Sequence, residues 1–140
     1  MKQEHLYAVA LTRLGGFNLP ALMELYQRAG SATAIYEHRN NIHDIFPDAT
    51  QRLVETLENW DNVISFAERE LQYDEQNNIE VLCLNDENYP QRLRECPDAP
   101  IVLYKQGNVN LNKHRTLNII GTRNCTQYGR DLIRAFIREL

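Results

Sequence analysis

The chain has 140 residues, 43% of them apolar and 24% charged, with a net charge of −4. That size suits one ordinary domain or two small ones, and the balance is that of a folded globular protein rather than a disordered one. No apolar stretch approaches the length of a membrane span, and Met1-Lys2-Gln3-Glu4-His5 leads into a helical pattern instead of a signal-peptide core, so a cytoplasmic protein is expected.

Up to about residue 77 the pattern is helical throughout. Leu6, Val9, Ala10, Arg13 and Leu14 follow the 3.6-residue period and stop at Gly15-Gly16. Pro20 suits the first turn of a second helix, with Asn18 as its cap, Leu22, Leu25 and Tyr26 on one face and Gly30 closing it. Ser31 caps a short third helix through Ile35 and Tyr36, and Ile42, Ile45 and Phe46 form a further turn before Pro47. Two more helices are predicted over 48–57 and 59–77. The second carries Val63, Ile64, Phe66, Ala67 and Leu71 and runs into the polar stretch Gln72-Tyr73-Asp74-Glu75-Gln76-Asn77-Asn78, as a connector would.

Beyond it the period changes. Ile79 to Leu84, Ile101 to Tyr104 and Leu117 to Ile120 are runs of β-branched and apolar residues that predict three strands. A helical turn is expected around Tyr89 to Glu95. Pro90, Pro97 and Pro100 shape the entry to the sheet, with Tyr89 and Tyr104 as half-buried anchors and no ligand role for these elements. The last helix carries Leu132, Ile133, Phe136, Ile137 and Leu140. It has neither a closing glycine nor a polar tail, so the sequence reads as part of a longer protein. The fold class expected is α+β: a helical part over 1–77 and an α/β part over 78–140.

Three cysteines, Cys83, Cys96 and Cys125, include no CxxC pair and no neighbouring histidines, which disfavours a disulfide framework and a zinc site; no metal or cofactor is expected. Cys125 beside Arg123 at a helix start reads as a small loop spacer. The acidic net charge hides an asymmetry. Residues 1–112 hold nine Lys/Arg against seventeen acids, whereas from Lys113 onward there are six against two. Positive charge is thus gathered around Leu117-Asn118-Ile119-Ile120-Gly121-Thr122-Arg123-Asn124-Cys125-Thr126-Gln127-Tyr128-Gly129. Here an apolar run ends at a glycine, and hydroxyls and a guanidinium precede a helix, where free amides and the helix dipole favour an anion. Arg123 can hold two phosphate oxygens or stack on a base. Gly121 lets backbone approach a ligand, Thr122 offers a hydroxyl, and Thr126 offers a hydroxyl or an N-cap. Tyr128 stacks on a base or packs under the loop, Gly129 permits close helix–strand packing, and Asn124 adds a contact.

Four motifs agree in order and spacing: Asn88-Tyr89-Pro90-Gln91-Arg92-Leu93, then Asp98-Ala99-Pro100-Ile101-Val102-Leu103-Tyr104, then Gly107-Asn108, then Gly121-Thr122-Arg123 with Thr126, Tyr128 and Gly129. Together they resemble the DNA-processing protein A family (DprA, also called Smf) of bacterial natural transformation, whose G-[ST]-R-x-x-[ST]-x-Y-G pattern is matched at every fixed position. The resemblance implies a non-catalytic single-stranded DNA-binding protein that protects incoming DNA and helps load the RecA recombinase. It implies a SAM-like, helix-hairpin-helix-like N-terminal bundle followed by the start of a Rossmann-like domain. It also implies a DNA pocket on Gly121, Thr122, Arg123, Thr126, Tyr128 and Gly129, and a homodimer when full length. The stretch from Leu11 to Leu22 is similar to one helix-hairpin-helix unit, but has Asn18 where the second bracketing glycine is expected. Its acidic surroundings favour packing or protein contact there over phosphate binding.

A second reading comes from another class: an enzyme or sensor for a nucleotide-derived small ligand, because Rossmann-like loops of this kind occur in phosphoribohydrolases of the lysine-decarboxylase-like group. Against it, no His or carboxylate lies beside Arg123 as a general base, Asp131 being a turn into the helix. A third reading is an interaction scaffold.

Overall fold

The computed structural model describes residues 2–15 and 18–139, so Met1, Gly16 and Leu140, named in the expectations above, lie outside the described residues. Seven α-helices, one short 3-10 turn (Ile42–Asp44) and two strands follow in chain order: α1 (Gln3–Arg13), α2 (Leu19–Ala29), α3 (Ala32–Glu37), α4 (Gln51–Leu57), α5 (Trp60–Gln76), β1 (Ile79–Cys83), α6 (Gln91–Arg94), β2 (Val102–Gln106) and α7 (Gln127–Glu139). The class is α+β. No helix among the described residues is long and apolar enough to cross a membrane.

The punctuation acts as the residue chemistry requires. Asn18 accepts the amide of Ala21 through its side chain, Pro20 fills the first turn of α2, and Gly30 ends it in the left-handed region at φ 83°. Ser31 caps α3 through the Ala34 amide. Thr50 caps the next helix through the Leu53 amide, so α4 starts at Gln51 rather than at the predicted residue 48. Helix α1 is the centre of the molecule: Ala8, Val9, Ala10 and Leu11 are each 0% exposed, so four consecutive side chains on all sides of it meet protein. It packs on α3, α5 and both strands. Trp60, fully buried at the start of α5, meets Tyr7 and Tyr36 edge-on with centroids 6.1 and 5.3 Å away, while those two rings stack at 4.0 Å.

One carboxylate ties three helices together. From the first turn of α1, Glu4 accepts the Tyr26 hydroxyl (2.6 Å), the Thr33 hydroxyl (2.6 Å) and the amides of Ala32 and Thr33 (2.8 and 2.9 Å). It serves as an anion at the start of α3. Burial pushes its pKa up, but hydrogen bonds from Thr33, Tyr26 and the two amides outweigh that, and the net shift is down from the ordinary 4.5. Burial and the same carboxylate push the Tyr26 hydroxyl well above its usual range.

Strands β1 and β2 pair antiparallel, Ile79 opposite Gln106 and Cys83 opposite Val102. Glu80 and Lys105 face each other across the ladder and bond at 2.7 Å, which lowers the Glu80 pKa. The apolar core is continuous: Val81, Leu82, Cys83, Tyr89, Ala99, Ile101 and Val102 join the cluster formed by α1, α2, α3 and α5. Tyr89 is a fully buried anchor, not a half-buried one, and its hydroxyl donates to the Pro100 carbonyl at 2.6 Å. Tyr104 is 48% exposed, as a half-buried anchor should be, and burial of its hydroxyl end with Glu70 and Asp74 nearby pushes its pKa up to about 12.

The third predicted strand does not form. Leu117 to Ile120 has no regular structure, and Leu117, Ile119 and Ile120 are 60%, 47% and 93% exposed. The reason is the lack of a partner. A run of β-formers becomes a strand only where another backbone offers a ladder, and a parallel neighbour needs a crossover of a dozen or more residues, usually a helix. Here the connector after β2 contains no helix and is pinned beside α6: Asn112 accepts the Gln91 amide (2.8 Å) and donates to the Tyr89 carbonyl (3.1 Å), while Arg92 bonds Thr116 and the His114 carbonyl. The sheet is therefore two-stranded and antiparallel among the described residues.

Candidate nucleic-acid interface

The residues of the glycine segment leave the connector as an extended arm and end in α7. Residues 121–128 are all exposed, with bends at Arg123 and Asn124. Thr126 is the N-cap of α7: its hydroxyl accepts the Gly129 amide at 3.2 Å and its carbonyl accepts the Arg130 amide at 3.1 Å. The amides of Gln127 and Tyr128 have no acceptor among the described residues, which leaves unpaired donors at the positive end of a 13-residue helix.

Arg123 makes no hydrogen bond or ion pair with any described residue, so a structural salt bridge is not its role here. Tyr128 is 76% exposed and does not pack under the loop. Gly121 is not among the glycines with positive φ, and a Cβ there would meet nothing within 4 Å. Gly129 behaves differently from expectation. A Cβ on Gly129 would meet only the Thr126 hydroxyl oxygen at 3.5 Å, an ordinary contact; with no strand over 117–121, close helix–strand packing is not what this glycine serves. Thr122 and Asn124 are exposed.

The structure adds a basic stripe that residue counting did not resolve. Arg130, Arg134 and Arg138 stand four residues apart on α7, so they share one face of the helix that Thr126 caps. Arg130 also reaches back to the Cys125 carbonyl at 3.3 Å, and Arg134 lies 3.5 Å from Asp131 with both partners exposed. Spacing in the sequence contained this signal once the helix was placed. Between the arm and α7 runs a groove of about 470 Å³ lined by Ile119, Ile120, Gly121, Leu132 and Ile133, with Arg130 and Arg134 at its rim. Unpaired guanidinium, free amides and a basic helix face can neutralise phosphates, and an exposed tyrosine beside them can stack on a base. Among the described residues, the carboxylate bonded to this stretch is Asp131, which is exposed.

The sequence pattern of the DNA recombination-mediator protein A family matches residues 80–140, a range that includes the whole arm. Residues 80–140 are thus similar to that family. Two curated relatives agree. The chain is 35% identical over 63 residues to the DNA processing protein DprA of Bacillus subtilis strain 168, covering 44% of this chain and 21% of the relative. It is 34% identical over 55 residues to the DNA processing protein DprA of Streptococcus pneumoniae strain R6, covering 39% and 20% respectively. The matched part thus spans about a fifth of the length of these relatives. No solved structure matches the chain.

Proposed function

We propose that this chain is part of a cytoplasmic, non-catalytic single-stranded DNA-binding protein of natural transformation, which protects incoming DNA and helps load the RecA recombinase. In this reading residues 78–140 begin a Rossmann-like DNA-binding domain. Residues 1–77 form a SAM-like helical domain whose role is contact rather than phosphate binding, and the full-length protein is a homodimer. The observation that carries it is Arg123: a guanidinium without a partner among the described residues, next to the free amides of a helix whose exposed face bears three further arginines. Phosphate is the ligand that uses all of these at once, and Gly121, Thr122, Asn124, Thr126, Tyr128 and Gly129 line the same stretch. Similarity to that family supports DNA as the source of that phosphate.

The test is a titration of labelled single-stranded oligonucleotides with the full-length protein and its Arg123→Ala variant at several salt concentrations. Affinity falls in the variant, and the slope of log affinity against log salt becomes shallower by about 0.7 for each phosphate of the single strand that is no longer neutralised. Preference among oligonucleotide sequences stays the same, because bonds to phosphate position the strand without reading bases. Equal affinity and equal slope would remove the arm from the DNA site and favour the nucleotide-derived small ligand instead.

A further inference from the structure

Far from the arm, three chemically unlike side chains converge where the first helix meets the end of β1. His5 comes from α1, Cys83 is the last residue of β1, and Asp86 sits in the turn that follows. His5 Nε2 lies 2.9 Å from Asp86 Oδ2, and that oxygen also accepts the Cys83 amide at 2.8 Å, so the turn itself holds the carboxylate beside the thiol. The three ligand-capable atoms, Nε2, Sγ and a carboxylate oxygen, all lie within 4.8 Å of one another. We propose that His5, Cys83 and Asp86 form a binding site for one divalent transition-metal ion of the zinc class, with a fourth coordination position facing solvent.

Geometry carries the assignment. A cation at the centre of a triangle whose edges do not exceed 4.8 Å sits no more than about 2.8 Å from each corner. Zinc bonds to N, O and S are about 2.0–2.3 Å long, so a contraction of at most about 0.5–0.8 Å by each side chain completes the shell. Nitrogen, sulfur and carboxylate oxygen together suit zinc or cobalt and are unlike the all-oxygen sets of calcium and magnesium. An entry path exists as well. A cavity of about 410 Å³ opens on His5 and Asp86, with Lys2, Asn85 and Asn88 also in its lining, while the fully buried Cys83 is not part of that lining. Binding exchanges the proton of the Cys83 thiol, released to water, for the metal–sulfur bond, and replaces the His5–Asp86 hydrogen bond by two metal bonds. Lys2, whose ammonium lies 4.0 Å from Asp86 Oδ1, is 74% exposed and free to swing into solvent. His5 and Asp86 are 81 positions apart in the chain, so spacing gave no hint of this site.

The experiment uses the full chain with Cys96→Ser and Cys125→Ser, in which Cys83 is the sole thiol. Titration with cobalt(II) is expected to produce a thiolate-to-cobalt charge-transfer band that saturates at one equivalent and is displaced by zinc. His5→Gln and Asp86→Asn in the same background weaken cobalt binding at least about tenfold, as losing even an outer-shell partner does. Both are checked by circular dichroism for an intact helical fold, and Asp86→Asn retains a side-chain oxygen for the Cys83 amide. Absence of a charge-transfer band at saturating cobalt overturns the proposal. So does a band of unchanged affinity in both variants that retain their fold, because the ion would then sit on Cys83 without its two neighbours.

Discussion

The body of the molecule and its arm use similar residues to opposite ends. In the body, Leu11, Ile35 and Trp60 are enclosed to 0% exposure, whereas in the arm and α7 the equally apolar Ile120, Leu132 and Ile137 are 93%, 54% and 58% exposed. The polar groups differ in the same sense. Glu4 spends all its acceptor capacity inside the protein, and Arg123 spends none of its donors on the described residues. A hydrophobic pattern therefore specifies what a segment is able to bury, and only a neighbour decides whether it does.

The contrast is most easily broken with paired truncations. Trp60→Ala should cost about 3–5 kcal/mol of unfolding free energy, since it empties the centre of an aromatic cluster. Phe136→Ala on α7, 42% exposed, should leave the same denaturation curve within about 0.5 kcal/mol. Comparable losses from the two would mean that α7 belongs to the cooperative core. Next in size is Glu4→Gln, which keeps the shape but removes the charge that four donors share, at a cost of about 2–3 kcal/mol. The pH dependence follows from the lowered pKa. The stabilisation by Glu4 is complete above its unfolded value near 4.5 and is lost as pH falls through the lower folded value. Urea unfolding of the variant between pH 3 and 7 should lack that part of the acid sensitivity.

A smaller effect, of the other sign, is expected at Asp74. This α5 carboxylate is 3% exposed and its Oδ2 has no hydrogen-bond partner among the described residues; burial, with Glu70 nearby, raises its pKa. A raised folded pKa means relative stability at low pH that is lost as pH rises through it, so at neutral pH the charge is a liability. Asp74→Asn should stabilise the protein by about 1 kcal/mol at pH 7 and not at pH 3, as read from the urea midpoint. Least visible globally is Thr126→Ala. Removing the cap should lower the helicity of α7, seen in amide chemical shifts, by the equivalent of about 0.5–2 kcal/mol of local helix stability while the unfolding midpoint of the body stays put.

Most of the body is legible in the sequence, because its signals are local. Asn18, Pro20, Gly30 and Ser31 mark helix ends through bonds spanning three or four residues, and the change of period after Asn77 marks β1. The failures are long-range. Leu117 to Ile120 has strand composition, but the pairing partner it would need is not a property of the segment. Tyr89 reads as half-buried because its fully enclosed site is built by the neighbouring turns and the Pro100 carbonyl, 11 residues on. The candidate site is legible as chemistry, in the glycine, hydroxyls and arginine, and not as shape. The residue pattern predicts that Gly129 serves close helix–strand packing, and its Cβ position is not crowded. The arginine stripe of α7, conversely, is present as spacing and becomes readable only with the helix in place.

The central position of α1 has a consequence for the order in which the molecule assembles. This helix precedes every element that encloses it, and its partners range from α3 to β2, whose Val102 lies in the same core. During synthesis at about 5–20 residues per second, Ala8, Val9 and Leu11 remain without their full surroundings until the chain has grown past β2. Closing the core around α1 thus requires contacts between residues distant in sequence, which slows the search relative to a bundle that closes from its nearest neighbours. In that interval the apolar surface of α1 stays open to solvent.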